Sequence, residues 1–308
     1  MATAVYTHAD CLEHDTGHGH PERIQRLGAV LGKLKAPAFD TLVWRAAPEA
    51  DLAQIARMHD PDFVRESLAA IPERGWVSLD GDTIVSPGSG RAALRAAGAV
   101  TAAVGAVISG EFKNAFCAVR PPGHHAERAV AMGFCIFNNV AIGAAEARAV
   151  YGLERVAVVD FDVHHGNGTQ HMFAADPNLF YASTHQMPLY PGTGSSNERG
   201  VGNICNAPLP PYAGSAEFRR AMEDIVLPAL ETFRPELLMI SAGFDAHRDD
   251  PLASLEFETE DYFWATQRLC ALAEASCGGR VVSTLEGGYD LTALGESAAA
   301  HVRALMAA

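Results

Sequence analysis

The run Asp160-Phe161-Asp162-Val163-His164-His165-Gly166-Asn167-Gly168 follows the apolar stretch Val156-Ala157-Val158-Val159. That stretch reads as a buried strand. In extended chain, alternate side chains share a face. Asp160, Asp162 and His164 therefore emerge together at the carboxyl end of the strand, where open α/β sheets bind ligands. Two carboxylates and an imidazole leaving a core strand invite a divalent metal. The competing reading is a structural ion-pair cluster. It needs an Arg or Lys nearby, and the run supplies none.

Three other apolar segments end in polar residues. Ala115–Val119 leads to Arg120-Pro121-Pro122-Gly123-His124-His125. Leu237–Ser241 leads to Gly243-Phe244-Asp245. Arg280–Thr284 leads to Glu286-Gly287-Gly288-Tyr289. In a parallel sheet these four ends lie on one edge. Asp162, His164 and Asp245 form a three-ligand set, which leaves a metal position open for water or substrate. One histidine of the His124–His125 pair can take a proton from water and return it to a leaving amine. Tyr289 can donate to a developing oxyanion. Asp160 and Asn167 can accept from the far ring nitrogens of that pair.

Each motif has a plainer reading alone: a surface turn for His-His, an Asx turn for Gly-Phe-Asp, a loop for Gly-Gly-Tyr. Four at matching ends make coincidence a poor account. His165 has the wrong parity for the metal and reads as structural. His8, His14, His18 and His20 read as a hydrogen-bonded or solvated loop. Gly192–Ser196 lacks the strand–loop–helix context of a phosphate loop.

The elements that must carry these residues alternate. Strands are expected at Ala4–Thr7, Leu42–Arg45, Ala115–Val119, Val156–Asp160, Leu179–Ser183, Asn203–Ala207, Leu237–Ser241 and Arg280–Thr284. Helices are expected at Pro21–Lys35, Pro61–Ala70, Gly88–Ser109, Asn139–Tyr151, Thr169–Ala174, Ser215–Thr232, Thr259–Ser276 and Leu291–Met306, with Pro21 in a first turn. Ser78–Gly90 and Pro188–Gly202 read as loops. The alternation predicts an α/β fold, one mostly parallel sheet with helices on both faces. No linker divides residues 1–308, so a single domain is expected.

Net charge is −14 over 308 residues. That disfavours a nucleic-acid groove, which wants clustered Lys and Arg. The six cysteines form no CxxC pair and suit a reduced core. No secretory leader is apparent, and the longest weakly polar stretch, Ala96 to Ile108, is too short to span a bilayer. A cytoplasmic protein with no membrane partner is expected.

The motifs Arg120-Pro-Pro-Gly-His-His-Ala126, Gly133-Phe-Cys-Ile-Phe-Asn-Asn139, Val159 through Gln170, Tyr190-Pro-Gly-Thr-Gly194, Gly243-Phe-Asp245 and Glu286-Gly-Gly-Tyr289 resemble the histone deacetylase and acetylpolyamine amidohydrolase superfamily, closest to its class II branch. The resemblance runs from His20-Pro-Glu-Arg23 to Tyr289. It implies an arginase-like deacetylase fold of about eight strands. It implies one Zn²⁺ on Asp162, His164 and Asp245. It implies His125 as principal general base and acid, His124 supporting the charge beside Asp160, and Tyr289 as electrophile. Position 167 is Asn, as in class II members, where class I members carry Asp.

The same resemblance implies a K⁺ site drawing on Asp160, Asp162, His164, Ser183 and Thr184. It places Gly133, Phe134 and Tyr190 at the walls of a narrow acyl-lysine tunnel. Polyamine-specific relatives carry a Glu seven residues after the third metal ligand; here that position is Leu252, which favours acyl-lysine of protein or peptide. The acidic rim is expected to comprise Asp80, Asp82, Asp249 and Asp250, with Asp82 orienting substrate. Three alternatives remain in view: an acetylpolyamine deacetylase, a non-catalytic acyl-ligand binding module, and a dimanganese arginase-like hydrolase. A homo-oligomer is compatible with the chain.

Overall fold

The computed structural model describes residues 2–308. Eight parallel strands form the central sheet. In chain order the strands are β1 (Thr3–Thr7), β2 (Val43–Ala46), β3 (Val77–Ser78), β4 (Ile84–Val85), β5 (Asn114–Cys117), β6 (Val156–Asp160), β7 (Leu179–Gln186), β8 (Ile204–Leu209), β9 (Leu237–Ala242) and β10 (Val281–Leu285). The sheet order is β2-β1-β5-β10-β9-β6-β7-β8, and β3 pairs with β4 in a separate antiparallel hairpin. The inner strands are buried along their whole length, and their Val, Ile, Leu and Ala runs suit a sheet covered on both faces.

The order has a direct consequence for the site. β5, β10, β9 and β6 are consecutive neighbours. They are the four strands whose carboxyl ends carry the candidate residues. Register fixes their relative height: Asp160 pairs with Ser241 and with Ser183, and Leu285 with Ala242.

Several local expectations are corrected. The helix expected from Pro21 begins at Ile24, because the Glu22 carboxylate is taken up by Arg26 and Arg120 and holds Pro21–Arg23 outside the helix. Ser78–Gly90 is not wholly loop: it contains most of the β3–β4 hairpin and the start of the helix Ser89–Ile108. The stretch Ser215–Thr232 is interrupted by a π-helical turn at Met222–Val226, just before Pro228, whose missing N–H and ring preclude a regular ladder there. The helix Ser89–Ile108 exceeds the stretch expected to be too short for a bilayer. Its 20 residues would suffice by length, but it packs into the core, where Ala92, Ala93, Ala96, Ala97, Val100 and Val104 are buried.

His301 lies inside this core. Its Nδ1 sits 2.6 Å from Thr266 Oγ1 and its Nε2 2.8 Å from Ser283 Oγ, tying the C-terminal helix to its neighbour helix and to β10. Burial alone pushes its pKa down to about 3. The folded protein thus keeps it neutral, whereas the unfolded chain takes up a proton near pH 6.5. Its stabilising contribution is complete above that pH and is lost as pH falls towards about 3. Between pH 7.5 and pH 5, wild type should lose about 2 kcal/mol more unfolding free energy than His301→Gln. Parallel denaturation curves for the two proteins would contradict this.

Candidate active site

β6 ends at Asp160, and the chain then bends instead of continuing as strand. The extended parity expected beyond Asp160 therefore does not hold. Side chains make the bend: Asp160 Oδ1 accepts Asp162 N–H at 3.1 Å, and Asp162 Oδ1 accepts His164 N–H at 2.9 Å. The outcome still brings Asp162 and His164 together. His164 Nδ1 lies 3.1 Å from Asp162 Oδ1 and 3.1 Å from Asp245 Oδ2. One donor atom from each of the three lies within 4.8 Å of the others.

This set fits a divalent cation on electrostatic grounds. No Arg or Lys pairs with Asp162 or Asp245 among the described residues; their positive partners are histidines. Burial and the neighbouring Asp162 push the Asp245 carboxyl up. Asp162 is held down against burial by His124 and His164. Two buried carboxylates crowded together, one resisting ionisation, is the condition a bound cation relieves.

The packing around them allows no slack. A Cβ at Gly243 would land on the Asp162 carboxylate, and one at Gly287 on the carboxylates of both Asp245 and Asp162. Gly243→Ala should leave the fold intact and weaken metal retention by about 10- to 100-fold, the usual scale for disturbing a ligand's support. Competition with a chromogenic chelator measures it; wild-type affinity would contradict the assignment of Asp162.

The histidine pair comes from the turn after β5. Both rings are buried and lie 4.0 Å apart between centroids. His124 Nδ1 is 2.9 Å from Asp160 Oδ2, which Tyr181 Oη also reaches at 3.0 Å. His125 Nδ1 is 2.8 Å from Asn167 Oδ1. The Asn167 amide donates its nitrogen to Glu127 Oε1 at 2.8 Å, which fixes its orientation. Asn167 Oδ1 can only accept, so His125 carries its proton on Nδ1 and turns a lone pair on Nε2 towards the centre. Burial draws His124 down, yet the carboxylates of Asp160 and Asp162 lift it to about 10. His125 is driven well below its ordinary value by burial and by the charges of His124 and His164. The surroundings thus favour the charged form of His124 and the neutral form of His125.

Tyr289 is buried at the β10 end, where the charges of Asp245 and Asp162 act on it. Its N–H donates to Asp250 Oδ2 at 2.7 Å, and the Arg26 guanidinium lies 4.8 Å from its ring centroid. Arg26 also donates to the main-chain oxygens of Gly288 and Glu286. Asp250 was expected on the rim. It is buried instead, because it holds the main chain of Tyr289 and Asp290. Burial and Asp245 push its carboxyl up to about 7.

Aromatic rings pack about the centre. Phe134 meets Tyr289 edge-on at 5.9 Å, and Tyr190 meets His125 at 5.2 Å and His164 at 6.3 Å. Phe134 holds φ at 68°, a strained value for a bulky residue. Its N–H is retained by Thr83 Oγ1 at 3.1 Å, and Gly133 before it runs against the His125 ring, where a side chain would clash. Asp82 is half-buried beside Thr83, its carboxyl raised by burial and by Asp80. Leu252 is half-buried, its N–H given to Asp250 Oδ1 at 3.0 Å.

Ser183 and Thr184 follow Asp160 across the β6–β7 register. Ser183 Oγ pairs with His185 Nδ1 at 2.8 Å, and Thr184 Oγ1 is buried without a partner among the described residues. His165 is engaged through both ring nitrogens, by Thr193 and Gln170. The N-terminal histidines do not form a cluster: His14 binds Ser89, His20 binds main chain at Glu22 and Asp82, and His18 is exposed.

The sequence alone assigned no role to Glu22, Arg26 or Glu286, and it put Asp250 on the rim. Glu22 is buried between Arg26 and Arg120, which hold its carboxyl well below the ordinary range against the pull of burial. The i,i+4 spacing of Glu22 and Arg26 was the one local signal available.

Residues 20–305 match the family model described as the histone deacetylase domain. The chain is 40% identical over 279 residues to the histone deacetylase-like amidohydrolase of Pseudomonas aeruginosa, covering 89% of this chain and 73% of that one. It is 37% identical over 326 residues to the polyamine deacetylase HDAC10 of Homo sapiens, covering 99% of this chain and 48% of that one. The crystal structure of the HDA15 HD domain superposes with a TM-score of 0.95 at 35% identity, covering 99% of this chain and 88% of that chain. With that shared architecture and a domain match across nearly its whole length, the chain belongs to the histone deacetylase family and is a hydrolytic deacetylase.

Proposed function

We propose that the chain removes acetyl groups from the side-chain amine of lysine in protein or peptide, with Zn²⁺ held by Asp162, His164 and Asp245. The zinc, when bound, supplies Lewis acidity to the acyl carbonyl and to a water. His125 Nε2, neutral and aimed at the centre, takes the proton from the attacking water and passes it to the departing amine. His124, charged and anchored on Asp160, stabilises the negative charge that develops. The Tyr289 hydroxyl donates to the same developing oxyanion. Phe134 and Tyr190 exclude water from the methylenes of the lysine. Asp82 orients the substrate backbone at the mouth. Asp160, Asp162, His164, Ser183 and Thr184 would further hold a K⁺ ion, a reading supported by the partnerless Thr184 hydroxyl.

The choice of lysine over polyamine rests on Leu252. That position offers an apolar side chain, and the carboxylate of Asp250, two residues before it, is held by the Tyr289 N–H. At position 252 itself a distal ammonium would therefore meet no counter-charge; the exposed carboxylate of this loop is that of Asp249. Turnover of an acetyl-lysine peptide is compared with that of N-acetylputrescine and N-acetylspermidine. The expected result is a higher kcat/KM for the peptide; a strong preference for the acetylpolyamines would reverse the substrate assignment.

A further inference from the structure

Glu286 lies against the main chain of the histidine turn. It is fully buried. Its Oε2 accepts the main-chain N–H of Gly123 at 2.6 Å and that of His124 at 3.2 Å, and Ser241 Oγ donates to its Oε1 at 3.3 Å. The carbonyls of the same turn are held from the opposite side: Asn139 reaches Pro121 O at 3.1 Å, and Thr169 N–H reaches His124 O at 3.2 Å. The histidine turn is thus clamped between Glu286 and the elements that follow it.

The chain next to Glu286 serves the other half of the centre. Gly287 N–H donates to Asp162 Oδ2 at 2.8 Å, and two residues later the chain delivers Tyr289. One short segment therefore ties together the histidine turn, a candidate metal ligand and the oxyanion donor. A displacement at Glu286 would move the imidazoles relative to the other two.

We propose that Glu286 is a positioning residue: by holding the Gly123 and His124 N–H groups, its side chain sets the reach of the His124 and His125 rings towards the metal triad and Tyr289. The proposal rests on the deacetylase reading of the site. What matters in it is length and acceptor geometry, since a glutamine oxygen at the Oε2 position could accept both N–H groups, while an aspartate keeps the charge and loses the reach.

The test uses zinc-loaded enzyme and two variants that separate these properties. Glu286→Asp should lower kcat by about 10- to 100-fold, the scale of an ångström-sized misplacement, with little change in KM. Glu286→Gln should retain kcat to within about fivefold, because both main-chain hydrogen bonds survive and only the Ser241 contact must reverse. Zinc content and melting temperature should stay at wild-type values in both. The ring ¹⁵N signals of His124 and His125 should move in the Asp variant and stay in the Gln variant.

A fall in Glu286→Gln equal to or larger than that in Glu286→Asp would show that charge, not reach, is at work and would overturn the proposal. Wild-type kcat in both variants would overturn it too, as would a loss of zinc or melting temperature that tracks the loss of rate. If wild type hydrolyses neither acetyl-lysine peptide nor acetylpolyamine, the deacetylase reading fails. The histidine spectra still decide the positioning claim in that case.

Discussion

Asp245→Ala is expected to leave a folded protein that retains no zinc through desalting and whose kcat/KM falls at least ~10³-fold, since water without metal returns from a pKa of ~7 towards 15.7. Asp245 makes two contacts that matter: Oδ2 lies 3.1 Å from His164 Nδ1, and Oδ1 accepts Val163 N–H at 2.9 Å. Losing the first removes a third of the ligand set. Losing the second frees the bend that presents His164. The fold should survive, because a buried carboxylate crowded by Asp162 contributes to function at a cost to stability. Metal content by plasma emission and melting by circular dichroism separate the two effects. A variant that keeps one zinc per chain would remove Asp245 from the site.

Tyr289→Phe should reduce kcat by ~10²- to 10³-fold, the range for deleting one oxyanion donor. KM and zinc content should barely change. The substitution is clean here because everything else that places the residue acts on main chain or ring face. Asp250 holds its N–H, Arg26 lies against its ring, and Phe134 meets it edge-on. A phenylalanine fills the same volume and loses only the hydroxyl. Unchanged kcat would exclude Tyr289 from the chemistry.

The residues of the candidate centre were legible in the sequence because polar groups at strand ends stand out against apolar runs. Asp162, His164 and Asp245 converge, though through a bend and not through strand parity, and the His124 and His125 rings lie beside them. In the layer around them, Asp160 and Asn167 meet the far ring nitrogens of the histidine pair as expected, but the rest was not legible. Asp250 looks like a solvated loop residue until the chain folds it under Tyr289. Glu22 and Glu286 look like ordinary acids near a helix start and a glycine turn; apart from the local Glu22–Arg26 pair, their partners come from contacts across 98 and 163 residues. Local geometry was misjudged where side chains override periodicity, as in the bend after Asp160 and the start of the helix at Ile24.

The central claim is that a single zinc ion on Asp162, His164 and Asp245 makes this chain a lysine deacetylase. Titrating zinc into chelator-stripped protein, while following release of acetate from an acetyl-lysine peptide, tests it most directly. The account predicts no activity without metal and full activity at one equivalent per chain. Full activity in metal-free protein, or a requirement for two ions per chain, would contradict it.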